Sequence, residues 1–249
     1  MIGLGAFLRF EVLRLVRNLR YGAITIGFPV VFYVLFLSDE KLGSHIDGTT
    51  WRTYFMVSMA SFGAMVAALN AGGTRLATER SSGWTRQLAV TPLSSWTFVF
   101  TKVVSAMIVT LPVIAVVEIT GFGFGGVRLG IVVWLELTAI LWASALPLAT
   151  FGVLIGFVAS SETAYPLVTA LMFLLSFFGG LFTPVRSLPT VLRRVADFLP
   201  SYHHAALGWA VAAGHVPGLS DVGILVAYVV VLGSIVTWRH RVDESLVSA

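Results

Sequence analysis

The sequence predicts an all-α polytopic membrane protein with six membrane-spanning helices, and three observations support this. Hydrophobic residues make up 57% of the chain and charged residues only 11%, whereas about a quarter of the residues of a soluble domain are charged. The mean hydropathy is +0.90. Apolar runs of roughly 20 residues, the length that crosses a bilayer core, recur between short polar breaks. Outer-membrane barrels show short alternating segments instead, so helices are predicted.

The first predicted element is an amphipathic helix over residues 5–20. Its apolar face carries Leu8, Val12, Leu15, Val16 and Leu19, and its polar face carries Arg9, Arg14, Arg17, Asn18 and Arg20. Such a helix is expected to lie in the plane of the membrane interface. The alternative is a positively charged flank that only anchors the first span. No small-residue cleavage site follows, so a cleaved signal peptide is not predicted.

The six spans follow in order, and short polar segments separate most of them. The predicted spans are 21–37, 51–71, 97–122, 129–159, 164–182 and 222–238. Between the last two, residues 183–220 have intermediate polarity and are interrupted by Pro184, Pro189, Pro200 and Pro217. The sequence has no internal repeat, so a transport pathway with two-fold symmetry would need a second copy of a permease chain.

An even number of spans places both termini on one side of the membrane. That side carries ten of the 16 lysines and arginines, and the positive-inside rule therefore predicts cytoplasmic termini. The polar interval at 74–95, between spans two and three, becomes a cytoplasmic loop. It contains Arg75, Glu79, Arg80, Trp84 and Arg86. In so apolar a chain, this density of charge indicates a contact surface.

Composition and missing motifs exclude several function classes. The net charge of +4 comes from arginines at the ends of apolar segments, which indicates contact with lipid headgroups and not with nucleic acid. The chain has no cysteine, which excludes disulfides and thiolate sites. It has no phosphate loop and none of the common hydrolase motifs. We therefore predict that the chain is not an enzyme and needs no cofactor of its own.

Glu118 and Glu136 are the acidic residues that lie well inside apolar runs. A carboxylate at membrane depth is costly and is by default a functional candidate. These two residues are candidates for binding a cationic substrate or carrying a proton. The alternative is that they pair with Arg128, Arg193 or Arg194 near the outer interface.

Two further patterns have both a functional and a packing interpretation. Phe173, Phe177 and Phe178, with Phe182 beyond them, form an aromatic stripe on span five that either touches a lipophilic substrate or packs against lipid and helices. Gly152 and Gly156 allow close helix contact, which usually means internal packing. The adjacent His203 and His204 point in different directions and have no carboxylate at ligand spacing, so no metal site is predicted.

Several motifs now coincide. The loop reads Glu79-Arg80-x-x-Gly83-Trp84-x-x-Gln87-Leu88-x-x-Thr91-Pro92, with Lys102 ten residues later, and Gly179-Gly180-Leu181-Phe182-x-Pro184 precedes the proline-rich external segment. Together with six spans and an interfacial N-terminal helix, this combination resembles the permease subunit of ABC-2 type exporters, particularly short drug and antibiotic exporters related to the daunorubicin permease. The resemblance covers essentially the whole chain.

The resemblance implies a single transmembrane domain over residues 1–249. Residues 74–95 would be the coupling segment that docks into a separate ATPase, and 183–220 would form external re-entrant helices. The coupling residues would be Glu79, Arg80, Gly83, Trp84, Arg86, Gln87 and Pro92. The family often has an acidic residue shortly after the glycine, where this chain has Thr85 and Arg86.

The resemblance also implies partners and a location. Two cytoplasmic ABC ATPases would bind the ATP and Mg²⁺, and a second permease subunit would complete a homodimer or heterodimer. The chain would sit among lipid in the cytoplasmic membrane of a bacterium and export a lipophilic or amphipathic, drug-like small molecule. The alternative function is a proton-coupled secondary transporter that uses Glu118 and Glu136.

Overall fold

The computed structural model describes residues 19–37, 45–46, 48–83 and 95–247. Most of the predicted interfacial helix at 5–20 lies outside the described residues. So does much of the predicted coupling segment, including Trp84, Arg86, Gln87 and Pro92.

The described chain is almost entirely helical. Its helices are α1 (Leu19–Phe36), α2 (Trp51–Ser81), α3 (Ser95–Gly123), α4 (Ile131–Ser144), α5 (Leu146–Val158), α6 (Ala164–Phe178), α7 (Thr190–Ala196), α8 (Pro200–Ala212) and α9 (Leu219–Val247), with a 3-10 turn at Val185–Ser187. A short antiparallel hairpin, β1 (His45–Ile46) and β2 (Thr49–Thr50), precedes α2. The all-α prediction is confirmed, although it did not include the hairpin.

Four segments of the described chain are long and apolar enough to cross a membrane. They are Trp51–Ser81, Trp96–Gly123, Ile131–Val158 and Leu219–Arg239. Thr25–Phe36 and Ala164–Phe178 are apolar but shorter, and they fall on the predicted spans one and five. Four of the six predicted spans therefore meet the length criterion, and the other two stay predictions.

Helix α2 is the centre of the molecule. It packs against α1, α3, α4, α5, α6 and α8, and 83% of its most apolar stretch is buried, against 17% for α9. Its buried side chains include Met56, Met59, Phe62 and Leu69. The other helices therefore form a shell around α2, and α9 lies at the outside of that shell.

Small residues allow α2 and α5 to touch through their backbones. A Cβ atom on Gly72 would lie 2.6 Å from the backbone nitrogen of Val153, and one on Gly156 would lie 2.6 Å from the carbonyl oxygen of Gly72. Distances this short are not tolerated between heavy atoms, so glycine is required on both sides. The internal packing role predicted for Gly152 and Gly156 is confirmed, because Gly152 also lies against the Ala68 carbonyl oxygen.

One predicted boundary was wrong, and one span has an internal break that was not predicted. The fourth span, 129–159, agrees with the apolar segment Ile131–Val158, and a one-residue break at Ala145 divides it into α4 and α5, with Pro147 in the first turn of α5. The predicted loop at 74–95 is helical up to Ser81, because α2 continues ten residues beyond its predicted end. Asn70 and Thr74 carbonyls accept hydrogen bonds from the hydroxyls of Thr74 and Thr78, 2.8 Å each. These hydroxyl groups therefore hydrogen-bond to carbonyl oxygens of their own helix, and the helix continues through them.

The predicted external segment contains a buried helix. Helix α8 packs against α2, α4 and α9, and Trp209 on α8 stacks on Tyr54 with ring centroids 4.6 Å apart. The Trp209 indole nitrogen donates to Ser58 Oγ at 3.1 Å. This segment is thus part of the helical core. Its re-entrant position in a membrane stays a prediction.

Candidate functional site

A buried cluster of charged side chains lies at the C-terminal end of α2. Glu79 is only 4% exposed. Its carboxylate accepts from Arg75 Nε at 3.1 Å through Oε1 and from Lys102 Nζ at 2.5 Å through Oε2. One carboxylate thus pairs with a cation on its own helix and with a second cation on α3.

The partner on α3 is itself buried. Lys102 is 7% exposed, and its ammonium group lies 5.5 Å from the centroid of the Phe98 ring. A lysine in an apolar span needs an opposite charge close by, because an unpaired buried cation is very costly. Glu79 supplies that charge, so the pair joins the end of α2 to the start of α3.

Arg80 connects the same end of α2 to α5. Its Nη1 donates to the carbonyl oxygen of Gly156 at 3.1 Å and also to that of Phe157. The guanidinium group lies 5.7 Å from the centroid of the Phe157 ring. The last carbonyls of a helix have no partner within the helix and carry a partial negative charge. Arg80 therefore caps α5 from outside.

Helix α2 ends immediately beyond these contacts. The hydroxyl of Ser82 donates to the Glu79 carbonyl oxygen at 2.9 Å. Gly83 has a φ of +77°, a left-handed conformation that glycine adopts without steric cost. The backbone therefore leaves the helical conformation at Gly83, directly before residues 84–94 of the predicted coupling segment, which lie outside the described residues.

The structure describes three of the seven predicted coupling residues. Glu79 and Arg80 point into the helical bundle and contact α3 and α5, whereas the sequence suggested a surface that faces a partner. Gly83 lies at the turn. Trp84, Arg86, Gln87 and Pro92 lie outside the described residues. The coupling role of all seven stays a prediction, and the structure shows that Glu79 and Arg80 bind other helices of the same chain.

Glu118 and Glu136 are not brought together. Glu118 is 6% exposed, and its Oε2 accepts from the Thr138 hydroxyl at 2.6 Å. Its Oε1 is buried without a hydrogen-bond partner among the described residues. Glu136 is exposed on α4. Because two residues turn a helix by about 200°, Thr138 and Glu136 point to nearly opposite sides.

The arginines suggested as partners of these acids make other contacts. Arg128 Nη1 donates to the carbonyl oxygens of Phe122 at 2.5 Å and Val127 at 3.1 Å, and Arg193 Nε donates to the Leu188 carbonyl oxygen at 2.7 Å. Within the described chain, no ion pair joins Arg128, Arg193 or Arg194 to Glu118 or Glu136. The suggested pairing is therefore not formed there.

The aromatic stripe is longer than the sequence indicated. Phe173 and Phe177 on α6 are exposed, with ring centroids 6.5 Å apart, and Phe178 is half-buried. Phe177 lies 5.2 Å from Phe182, and Phe182 lies 5.2 Å from Phe62 on α2. Further rings on α1, namely Phe28, Phe32 and Phe36, continue this aromatic seam. The seam joins α6 to α1 and α2.

The two adjacent histidines have separate partners. His203 Nδ1 lies 2.6 Å from Asp221 Oδ1, and its Nε2 lies 2.9 Å from the Asp197 carbonyl oxygen. His204 turns inward, with Nδ1 2.7 Å from Ser144 Oγ. The described residues contain no group of three or more potential metal ligands. His203 thus ties α8 to the start of α9.

Two members of the charge cluster, Arg75 and Lys102, were absent from the predicted site. In the sequence, Lys102 stands out only as a residue ten positions beyond the loop motif, and Arg75 only as one of several loop arginines. The sequence does contain a signal for this pair, because a lysine inside an apolar span needs an acidic residue close by. Glu79 is the nearest preceding acid in the sequence on the same predicted side of the membrane.

Comparison with known proteins gives two matches. The model of a family described as ABC-2 family transporter protein matches residues 47–238, which is more than half of the chain. A protein of Bacillus subtilis (strain 168), YvfS, named as a candidate transport permease, is 25% identical over 236 residues. That alignment covers 95% of this chain and 96% of the relative.

Proposed function

The chain belongs to the ABC-2 family of transporter membrane proteins, and from that membership we infer that it is the permease subunit of an ATP-driven exporter. The resemblance noted in the sequence is thereby confirmed at the level of the family. The family match shows that the chain is a transporter permease with membrane-spanning helices. The energy source, direction, substrate and subunit number are our proposal.

One observation carries the proposal that motion enters through the end of α2. Glu79 and Arg80 join this end to α3 and α5 by direct contacts, with Lys102 Nζ 2.5 Å from Glu79 Oε2 and Arg80 Nη1 3.1 Å from the Gly156 carbonyl oxygen. A force applied to the segment beyond Gly83 would therefore reach three helices together. Packed helices with fixed contacts move as rigid bodies in such transitions.

We propose that the segment at 74–95 docks into a cytoplasmic ATPase. Trp84 and Arg86 would supply the aromatic and charged contacts that typically dominate protein interfaces. Glu79 and Arg80 would hold the base of the segment and make no direct contact with the ATPase. The interfacial helix at 5–20 would form a second contact, and both termini would lie on the ATPase side.

We propose two permease subunits and two ATPases in the working unit, with ATP and Mg²⁺ bound to the ATPases. The substrate would be a lipophilic or amphipathic small molecule of the drug and antibiotic type. The aromatic seam that includes Phe173, Phe177 and Phe182 supports this substrate class, because stacked and exposed rings bind apolar, planar surfaces. The external segment at 183–220 would cap the pathway on the outer side, and lipid would surround the remaining helices in a bacterial cytoplasmic membrane.

The experiment that tests this proposal is co-purification of the chain with a candidate ABC ATPase from the same organism, followed by an ATPase assay. We expect the Trp84→Ala, Arg86→Ala double variant to lose the ATPase while still inserting in the membrane. The matched control, Arg186→Ala with Arg194→Ala, removes two arginines from the predicted opposite side and should retain it. If both variants retain the ATPase equally well, the segment does not dock into it.

A proton-coupled transporter is the second candidate, and one observation favours it. Glu118 is buried in the predicted third span, with Oε1 unpaired among the described residues, which suits a group that binds and releases a proton. Glu136 is exposed and does not lie beside Glu118, so the structure does not support a proton relay between the two residues. Transport into vesicles driven by an imposed proton gradient in the absence of ATP and of any ATPase tests this candidate. It predicts that the wild-type chain transports under these conditions and that the Glu118→Gln variant does not.

A further inference from the structure

A cavity of about 750 Å³ lies at the end of the molecule opposite the Glu79 cluster. The hairpin before α2 and the turn between α3 and α4 form its walls. Its lining includes His45, Thr49 and Thr50 on one side and Gly126, Val127 and Arg128 on the other. Cavities of about 300–1,000 Å³ typically accept a small molecule or a headgroup.

Two arginines on different elements line this cavity. Arg52 lies in the first turn of α2, and its Nη1 would be 3.7 Å from a Cβ atom on Gly126, so the guanidinium group lies over the opposite turn. Arg128 lies two residues beyond Gly126. Its Nη1 donates to two carbonyl oxygens, and its guanidinium carbon lies 4.5 Å from the Phe122 ring centroid. Both arginines are thus directed to one turn at the mouth of the cavity.

Neither arginine has an acidic partner within the described part of the chain. The ion pairs described there join other residues, and no carboxylate is among the lining residues that the structure describes. Thr49 adds a hydroxyl group to the lining, while the hydroxyls of Thr50 and Thr53, which also line the cavity, bond each other at 2.9 Å. The N-terminus of α2, which begins at Trp51, contributes a partial positive charge. The electrostatic character of the described wall is therefore cationic.

We propose that this cavity binds a phosphate group through Arg52 and Arg128. The planar guanidinium fork matches the oxygens of a phosphate, and two forks on facing elements can hold it from two sides. The headgroup of an anionic phospholipid and a soluble phosphate monoester share this chemistry. The site needs no ATPase and no particular transport substrate, so the inference is independent of the proposed exporter function.

The test measures binding to the purified full-length chain in detergent by microscale thermophoresis. Three probes are compared: short-chain phosphatidylglycerol, glycerol phosphate, and a diacylglycerol of equal chain length that has no phosphate. We expect at least one of the two phosphate probes to bind and the diacylglycerol not to bind. Binding of the lipid alone identifies a lipid headgroup site, whereas equal binding of glycerol phosphate shows that the phosphate group suffices.

The variant that tests the residues is Arg52→Gln with Arg128→Gln, and its matched control is Arg186→Gln with Arg194→Gln. Loss of charge-assisted hydrogen bonds should weaken phosphate binding about tenfold or more in the first variant, with little change in the control. Because Arg128 also bonds backbone carbonyls, Arg52→Gln alone serves if the double variant does not fold.

Three outcomes would overturn the proposal. The first is that neither phosphate probe binds the wild-type chain, as expected if Asp39, Glu40 and Asp47, which lie outside the described residues, already neutralise the arginines. The second is that diacylglycerol binds as tightly as phosphatidylglycerol. The third is that the control variant loses as much affinity as the Arg52 variant, because then only the overall charge matters.

Discussion

The two ends of helix α2 use charge in opposite ways. At the C-terminal end, Glu79 is buried and paired with Arg75 and Lys102, and Arg80 bonds the carbonyls of α5. At the N-terminal end, Arg52 is exposed at a cavity without an acidic partner among the described residues. The first set of charges is used for contacts within the protein, whereas the second is available to a ligand.

The ends also differ in what holds them in place. The N-terminal end is fixed by rings, since Trp51 stacks on Phe55 with centroids 5.2 Å apart and its indole nitrogen donates to the Phe36 carbonyl oxygen at 3.3 Å. The C-terminal end is fixed by charged side chains of α2 and α3 and by the α5 carbonyl oxygens that bind Arg80. Removing one charge should therefore destabilise the C-terminal end strongly and the N-terminal end hardly at all. The variants at Glu79, Arg80 and Arg52 test this difference, and Gly72→Ala tests the uncharged contact between α2 and α5 for comparison; the largest expected effect comes first.

The largest effect is expected for Glu79→Met, which leaves Lys102 buried without its counter-charge. Breaking a buried pair by removing one partner costs about 3–5 kcal/mol. The thermal midpoint and the monodisperse fraction in detergent should both fall sharply. The double variant Glu79→Met with Lys102→Met should recover most of the loss, because replacing both partners is often close to neutral. If the double variant is no more stable than the single one, the pair is not the cause.

A smaller effect is expected for Gly72→Ala, which tests the contact between α2 and α5. The new Cβ atom would lie 2.6 Å from the Val153 backbone nitrogen, and overpacking of this kind costs about 1–3 kcal/mol. The control is Gly233→Ala on α9, where an added Cβ meets no atom within 4 Å. The thermal midpoint should fall for the first variant only, and a similar fall for both would point to a general effect of backbone stiffness.

Arg80→Gln should have an intermediate and local effect. Losing a charged donor to the last carbonyls of α5 costs about 1–2 kcal/mol, and this loss should appear as faster amide hydrogen exchange around residues 157–160. Arg194→Gln, which removes an exposed arginine from α7, should leave that exchange unchanged. Unchanged exchange in the Arg80 variant would mean that α5 needs no external cap.

The smallest effect is expected for Arg52→Gln at the N-terminal end. Substitutions of exposed residues usually change stability by less than about 0.5 kcal/mol. The thermal midpoint in phosphate-free, lipid-depleted detergent should therefore stay close to that of the wild-type chain. A fall as large as that of the Glu79 variant would contradict the difference between the two ends, because Arg52 would then be part of the internal structure.

The sequence predicted those features that depend on nearby residues. Apolar runs located the main helices, and the spacing of Gly152 and Gly156 indicated a close helix contact that the structure places against α2. The motifs around Glu79 and Gly179 also led to the correct family. These signals are local, because period, composition and motif are each contained in one stretch of chain.

The sequence did not predict which distant side chains meet. Glu79 and Lys102 are 23 positions apart and pair only because α2 and α3 lie side by side. Phe62 and Phe182 are joined in the aromatic seam for the same kind of reason. Glu118 and Glu136 have similar sequence surroundings, yet only Glu118 faces an interhelical contact with Thr138. Packing decides which face of each helix points toward its neighbours. The chain is so uniformly apolar that the periodicity of its sequence does not predict that face.

The central position of α2 has a consequence for how the protein is made. Among the four long apolar segments, α2 is the least apolar, and it has the largest buried share. It leaves the ribosome before α3 and α5, which supply Lys102 and the carbonyls that bind Arg80. Charged residues reduce the tendency of a nascent helix to enter the bilayer. We therefore expect α2 to remain beside the insertion machinery until those helices arrive, so that its final placement is a late event in biogenesis.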